Sequence, residues 1–516
     1  MLKNLKIWSS ILILTGLILV VVHNSAFSSQ TRLFSMGDLS LVIEDEDNEI
    51  NLYDFGNNPA WAVVDQQVSW GRGATNLYQE KGPYRRILDP QTLLTSNSYF
   101  DAVKTFGPDK VFFGYVGYYY YDNKKIVGSV EKYPYEDEFG LLDSAGFVDV
   151  DKNGTIDDIR SDFTYTGPDM MAGHSRRISK NTYVGATLGY RLEHGVKRQY
   201  IWPETYLRTF DFNFGIARRL PGGLVLGLSF NPYDTQEKID LDPGLQGGNV
   251  VKDVVGFQWR VPISSMTRTT RNRVYKGGLQ GTWDLGKTLT SGFIINRVFK
   301  NLEIDDGLED KDRVVYWQSD GYHLEYRGLF RIAPEIANVG LSYSRNHEGT
   351  WTKNPIFNTI LDEGPITEDN FGVGWGVTPS SCFMWGFETH FYQYKEEITD
   401  YISKGIRDTR IETLSYNLGA ELTVEKNFRV RGGLIYAEYN VEGDLLSEDR
   451  LRDNKSFSVR WGLGYSSESA LIDLALGYNM TKGDALNSLQ VIYPDAPREK
   501  LSFYLSSKFF FGKKSS

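Results

Sequence analysis

The sequence predicts an all-β chain closed into an antiparallel transmembrane β-barrel of about 14–16 strands. Three observations predict it. Apolar residues recur with a period of two: Phe210, Phe212, Phe214 and Ile216 alternate with Asp211, Asn213, Gly215 and Ala217. That period gives a strand with one apolar face. The opposite face is small or charged, as in Gly321, His323, Glu325, Arg327 and Arg331, which is what a wet lumen asks of a lipid-facing barrel. Short turns also alternate with long acidic connections, the pattern of outer-membrane barrels with short periplasmic turns and longer external loops.

Composition agrees. The chain has 516 residues, 51 Gly, 32 Tyr, 29 Phe and 11 Trp against 17 Pro, a balance that favours strands and turns. Mean hydropathy is −0.37, too low for a bundle of membrane helices. A formal charge of −10 argues against a nucleic-acid partner, because phosphate binding needs a basic face. Cys382 is the single cysteine, which excludes an internal disulfide framework and a cysteine-rich metal site.

In chain order, residues 1–28 read as a cleaved export signal. Lys3 and Lys6 precede the apolar run Ile7 to Val22, and small residues around Ala26 supply a cleavage site. The alternative is an uncleaved anchor. Residues 29–70 form the opening segment, and residues 71–512 the barrel. Repeated strand signals begin near residue 160. Val184, Ala186, Leu188 and Tyr190 share one face. So do Phe371, Val373, Trp375 and Val377, and further on Ile472, Leu474, Leu476 and Tyr478. Tight turns are expected at Ser179-Lys180-Asn181, Pro221-Gly222-Gly223, Leu285-Gly286-Lys287, Pro334-Glu335, Pro379-Ser380-Ser381, Glu425-Lys426-Asn427 and Ser467-Glu468-Ser469. Long loops are expected in the acidic stretches between them, among them residues 301–313, 354–370 and 396–410. Tyr115 and Tyr118 to Tyr121, with Trp317, Tyr392 and Tyr394, stand near strand ends, where headgroups favour such rings. The last strand carries Leu501, Phe503, Leu505, Phe509 and Phe511 on one face.

The opening segment is unlike the rest. It begins Met36-Gly37 and continues through Leu41-Val42. Acidic residues Asp45, Glu46 and Asp47 follow, then Asn58-Pro59-Ala60. This stretch resembles the start of the FadL-like family, outer-membrane transporters of long-chain fatty acids and hydrocarbons, and that of related secretion-associated barrels. It departs from the family pattern where Asp38 replaces a usual glycine. The resemblance covers about 30 residues and otherwise only architecture. It implies a hatch inside the lumen and passive uptake of a hydrophobic small molecule. Asp45, Glu46 and Asp47 would then pair with lumenal arginines such as Arg191, Arg219, Arg327, Arg331 or Arg460. The bland alternative is a solvated acidic turn.

Other candidate residues are sparse. His323, Glu325, Arg327, Arg331, Glu388 and His390 fall on expected lumenal faces, where a pore lining explains them better than a catalytic dyad. Phe357, Ile360 and Leu361 are apolar in an otherwise polar loop and are candidates for ligand capture. Asp149, Asp151, Asn153, Thr155 and Asp157 occupy calcium-loop spacing around Gly154, but Arg160 stands where the twelfth ligand belongs. A structural Ca²⁺ there competes with an ordinary acidic turn. No nucleophile elbow, P-loop or dinucleotide fingerprint appears, so the chain is expected not to be an enzyme and to require no cofactor. The expected location is the outer membrane of a Gram-negative-type bacterium. Expected partners are membrane lipid and a hydrophobic ligand. The competing readings are a general porin and a surface or secretion barrel whose loops bind protein.

Overall fold

The computed structural model describes residues 28–42, 58–65, 68–82, 91–126, 141–143, 149–150, 156–157, 161–197, 204–241, 250–254, 259–263, 266–286, 288–307, 311–333, 336–354, 358–401, 404–443, 453–486 and 492–511. Eighteen long strands make one sheet. The first four are β1 (Ser69–Lys81), β2 (Thr92–Thr105), β3 (Lys110–Ile126) and β4 (Ser161–Ser179). Next come β5 (Thr182–Lys197), β6 (Glu204–Arg219), β7 (Leu224–Leu241), β8 (Met266–Asp284) and β9 (Leu289–Gly307). The second half opens with β10 (Lys311–Ala333), β11 (Ala337–Asn354), β12 (Thr359–Ser380), β13 (Phe383–Asp400) and β14 (Gly405–Glu425). It ends with β15 (Phe428–Gly443), β16 (Asp453–Ser466), β17 (Ala470–Leu486) and β18 (Ile492–Phe511). Each strand pairs antiparallel with the next, and β1 pairs with β18 from Ser69↔Phe511 to Lys81↔Glu499. The sheet is therefore closed and has no free edge. Eighteen strands exceed the 14–16 expected because β1–β3, upstream of the clear hydropathy signal, carry weaker alternation.

The expected outward faces are outward. Phe210, Phe212, Phe214, Ile216, Phe371, Val373, Trp375, Leu418 and Ile472 are all exposed large apolar residues. An exterior belt of this kind is what lipid requires. The tight turns lie at one end of the barrel, where β4–β5, β6–β7 and β14–β15 join over a few residues. The apolar belt sits in that half of the strands. In β12 it runs over Phe371–Trp375, whereas the opposite end of the same strand carries Asp362, Glu363, Glu368 and Asp369.

That distribution corrects the loop assignment. Residues 301–313, 354–370 and 396–410 are mostly strand: β9 ends at Gly307, β10 starts at Lys311, β12 starts at Thr359, and β13 and β14 reach Asp400 and Gly405. The longest strands have 23 and 22 residues, whereas a tilted membrane crossing takes ~9–11. Hydrogen-bonded ladders continue beyond the lipid, where side chains need not be apolar, so hydropathy fades while the strand goes on. Beyond the barrel, Leu141–Asp143, Val250–Val254 and Trp259–Ile263 pair into a three-stranded sheet from two long connections.

The tyrosine cluster also divides between faces. Tyr118 is exposed outside. Tyr115, Tyr119 and Tyr121, at the alternate positions of the same strand, face the lumen, where Tyr119 is buried.

Candidate functional site

The lumen contains part of the N-terminal segment, residues 28–42 and 58–65, seated at two places. Helix α1 (Ser28–Ser35) packs against β15–β18. It ends because Gly37 adopts a left-handed conformation, φ 75°, and the Asp38 amide then donates to the Leu33 carbonyl at 2.8 Å while Gly37 donates to Phe34 at 3.2 Å. This is the Schellman arrangement, which uses up otherwise orphaned helix carbonyls. Gly37 is also required by space: a Cβ would stand 2.8 Å from the Leu418 carbonyl oxygen. Asp38 is left-handed as well, φ 58°, which explains why glycine suits this position. Aspartate tolerates that conformation better than most residues, and here its carboxylate meets Arg460 at 2.5 Å.

The first seat is a wall without side chains. Gly376, Gly386, Gly419 and Gly433 stand directly opposite one another across β12–β15. A Cβ at Gly376 would meet Val42 at 3.0 Å, one at Gly386 would meet Leu39 at 2.9 Å, and one at Gly433 would meet the Met36 carbonyl carbon at 2.7 Å. Met36, Leu39 and Val42 are consequently buried against bare backbone. The face that was legible only as unusually rich in glycine is the bed of this segment.

Charge holds the segment as well. The Arg32 guanidinium donates through Nε and Nη2 to the two oxygens of Glu421, at 3.0 and 2.8 Å. Arg431 donates to the same carboxylate at 2.6 Å and also reaches Asp473. All four side chains are buried. Next to them, Glu388 accepts the backbone amides of Leu41 and Val42 at 2.6 and 3.2 Å, and its other oxygen lies 3.0 Å from His390 Nε2. Glu388 and His390, expected in the lumen wall, thus lie together at this seat.

The second seat is across the barrel on β4–β6. Pro59–Trp61 form a 3-10 turn that runs into the helical turn Ala62–Asp65. Asn58 caps it, its Oδ1 accepting from the Ala60 amide at 3.0 Å. Its Nδ2 donates to the Leu228 carbonyl of β7 at 3.1 Å, and the Ser175 hydroxyl donates to the Ala60 carbonyl at 3.2 Å. Gly185, Gly215 and Gly227 leave room for Pro59, Asn58 and Trp61 respectively. Trp61 is buried in an apolar cluster with Val103, Val111, Tyr183, Val225 and Ile294. Asparagine, proline and alanine each have a task here: cap and tie, preset φ, and fit against a wall.

The expected pairing of the acidic run falls on residues that the structure does not describe. Asp45, Glu46 and Asp47 lie outside the described residues. Of the five arginines proposed for them, Arg460 meets the segment through Asp38. Arg191 instead pairs with Glu193 at 2.7 Å, and Arg219 lies over the Tyr183 ring. Arg327 pairs with Glu325 at 2.9 Å, and Arg331 donates to the Gly286 carbonyl in the β8–β9 turn at 2.8 Å. Among the described residues both polarities occur: Asp38 of the segment meets Arg460 of the wall, and Arg32 of the segment meets Glu421 of the wall. Arg32 was missed because it follows the export signal so closely; a lone arginine beside the glycine motif is the signal that could have found it.

Other candidates are scattered. His323 stands 3.5 Å from Glu325 and 2.5 Å from Asn346, a wall network on β10 and β11. Ile360 and Leu361 lie at the start of β12, on opposite faces, one exposed and one buried, so adjacent strand positions divide them; Phe357 is outside the described residues. Asp149 pairs with Asp157 across a two-residue ladder, while Asp151, Asn153 and Thr155 are outside the described residues.

One feature of the wall was hidden in the tyrosine cluster. Inward positions of β3 carry Val111, Phe113, Tyr115, Tyr119 and Tyr121; facing positions of β4 carry Met171, Tyr165 and Phe163. Phe163 and Tyr165 stack at 4.4 Å near the long-connection end, and Val111 joins the Trp61 cluster at the other end. Tyr115 ties its hydroxyl to Asp169 at 2.9 Å, and Arg191 covers the Tyr119 ring at 4.3 Å. This strip runs down a lumen otherwise lined by residues such as Glu193, Asn213, Glu237, Asn296 and Glu396.

No family model matches the sequence, and no curated protein sequence matches it. Among solved structures it is similar to a FadL homologue of Pseudomonas aeruginosa, at 11% identity and a TM-score of 0.39 over 93% of this chain and 97% of that one. It is also similar to the Pseudomonas putida toluene transporter TodX, at 11% identity and 0.37 over 94% and 98%. The ferric yersiniabactin uptake receptor of Yersinia pestis gives 9% identity and 0.46 over 87% and 81%. Likeness this remote assigns neither a family nor a substrate.

Proposed function

We propose that the protein is an outer-membrane channel for passive uptake of hydrophobic small molecules, gated by residues 31–65 as a hatch. The observation that carries this reading is the aromatic strip on β3 and β4, which leads from the long-connection end to the Trp61 seat of the N-terminal segment. A neutral apolar molecule gains contact with the half-buried rings of Phe113, Tyr115 and Tyr121, which the buried Phe163 and Tyr165 back at the long-connection end, whereas the polar remainder of the lumen offers it little. The hatch closes the lower end, so passage requires at least one seat to release. Transfer runs down a concentration gradient, without ATP or a redox step.

Two measurements test the reading. Single-channel recording compares the full chain with a deletion of residues 31–61; the full chain should be closed and the deletion should conduct. Transfer of a neutral aromatic probe into proteoliposomes should slow several-fold when Tyr115 and Tyr121, the half-buried rings of the strip, are both replaced by Gln. Steady ion conductance by the full chain, with probe transfer indifferent to those substitutions, would instead indicate a general porin.

A further inference from the structure

The charge cluster at the first seat is incomplete without the N-terminal segment. Glu421 and Arg431 face each other directly across β14 and β15. Arg431 spans the next strand to Asp473 on β17 through the gap left by Gly464, where a Cβ would stand 2.7 Å from Asp473 Oδ1. In the wall Glu421 and Asp473 share the Arg431 guanidinium. Arg32 supplies the second cation, and it does so with two N–H groups on the two oxygens of one carboxylate. A planar guanidinium offers that fork and a rotating ammonium does not. Met384 Sδ lies 3.2 Å from Arg32 Nη2 and forms the soft side of the seat.

We infer that Glu421, together with Arg431, Asp473 and Met384, forms a guanidinium-binding site in the barrel wall, and that Arg32 is its tethered ligand. This rests on the hatch reading above. Because Arg32 is part of the same chain, its effective concentration at the site is set by the tether, and the site is filled when the hatch is closed. Withdrawal of Arg32 removes one of the two guanidinium groups that the buried Glu421 carboxylate holds, a costly change, and that cost holds the hatch in place. A free guanidinium compound that enters the vacated seat restores the charge balance.

The test uses full-length protein carrying Arg32→Ala, studied in planar bilayers and by thermal melting in detergent. The variant should conduct where the unsubstituted chain is closed. Methylguanidinium should restore closure and raise the melting temperature in a saturable way; methylammonium at equal concentration should do neither. Adding Glu421→Gln should abolish both responses. Equal responses to the two cations, or none to either, would overturn the site. If Arg32→Ala stays closed while the deletion of residues 31–61 conducts, the hatch stands and Arg32 is not its latch. If the deletion is also closed, the hatch reading fails, and the melting response alone decides whether the guanidinium site exists.

Discussion

The two seats of the N-terminal segment solve one problem by different physics. At both, the wall is stripped to glycine so that backbone can lie against backbone: Gly376, Gly386, Gly419 and Gly433 on one side, Gly185, Gly215 and Gly227 on the other. Beyond that they diverge. The first seat is tied by charge, through Arg32, Glu421, Arg431 and Asp473, with Glu388 accepting two amides. The second is tied by an apolar cluster around Trp61, with Asn58 as its polar tie. Apolar burial is non-directional and insensitive to salt. A fork of charged hydrogen bonds is directional and vanishes when one partner leaves. For the hatch proposed above, the difference makes the first seat the expected switch and the second the expected hinge.

The strongest way to break the comparison is Gly419→Val. A Cβ there lands on the Met36 carbonyl oxygen, and neither strand nor segment backbone can yield cheaply. Closure should be lost, with conductance approaching that of the 31–61 deletion, while the barrel still migrates as a folded species. Closed records from this variant would show that the first seat is dispensable.

Trp61→Ala acts on the other side. Truncating a buried Trp costs about 3–5 kcal/mol, enough to shift an open-to-closed ratio by roughly a hundredfold or more, since each 1.4 kcal/mol is about tenfold. Open probability should rise by that order and stay nearly independent of ionic strength. A strong salt dependence in this variant would erase the distinction between the seats.

Asp38→Gly sharpens the contrast at small amplitude. It removes a half-exposed ion pair with Arg460, worth about 0–1 kcal/mol, and relieves a left-handed non-glycine residue, a strain of roughly 1–2 kcal/mol. The hatch should be unchanged or slightly tighter, and the salt dependence of opening should shrink. A large loss of closure would mean that Asp38 does more than replace a glycine.

Much of the barrel was legible. Period-two alternation in Phe210–Ile216 and Phe371–Val377 marks outward faces because lipid rejects polar side chains at every second position. The tight turns at 180–181, 221–223, 426–427 and 467–469 were legible through Gly, Pro, Asn and Ser; the one expected at Pro379-Ser380-Ser381 falls at Ser381-Cys382, and Pro334-Glu335 lies outside the described residues. Strand ends were not, because beyond the lipid a ladder tolerates any side chain; residues 359–369 read as a loop and are strand. The tyrosine cluster was legible as aromatic but not as two-faced, since a run such as Tyr118 to Tyr121 shows no alternation in residue type.

The sequence by itself determined that the chain closes into a barrel with an apolar exterior, and that Met36-Gly37 and Asn58-Pro59-Ala60 belong to a special segment. Only the tertiary structure decided which glycines form its bed, and that Arg32 meets Glu421 389 residues away. The reason is physical. Alternation and turn chemistry are local and leave their mark within a few residues. Contact across a lumen depends on how many strands close the ring and on their register, and no stretch of sequence encodes either alone.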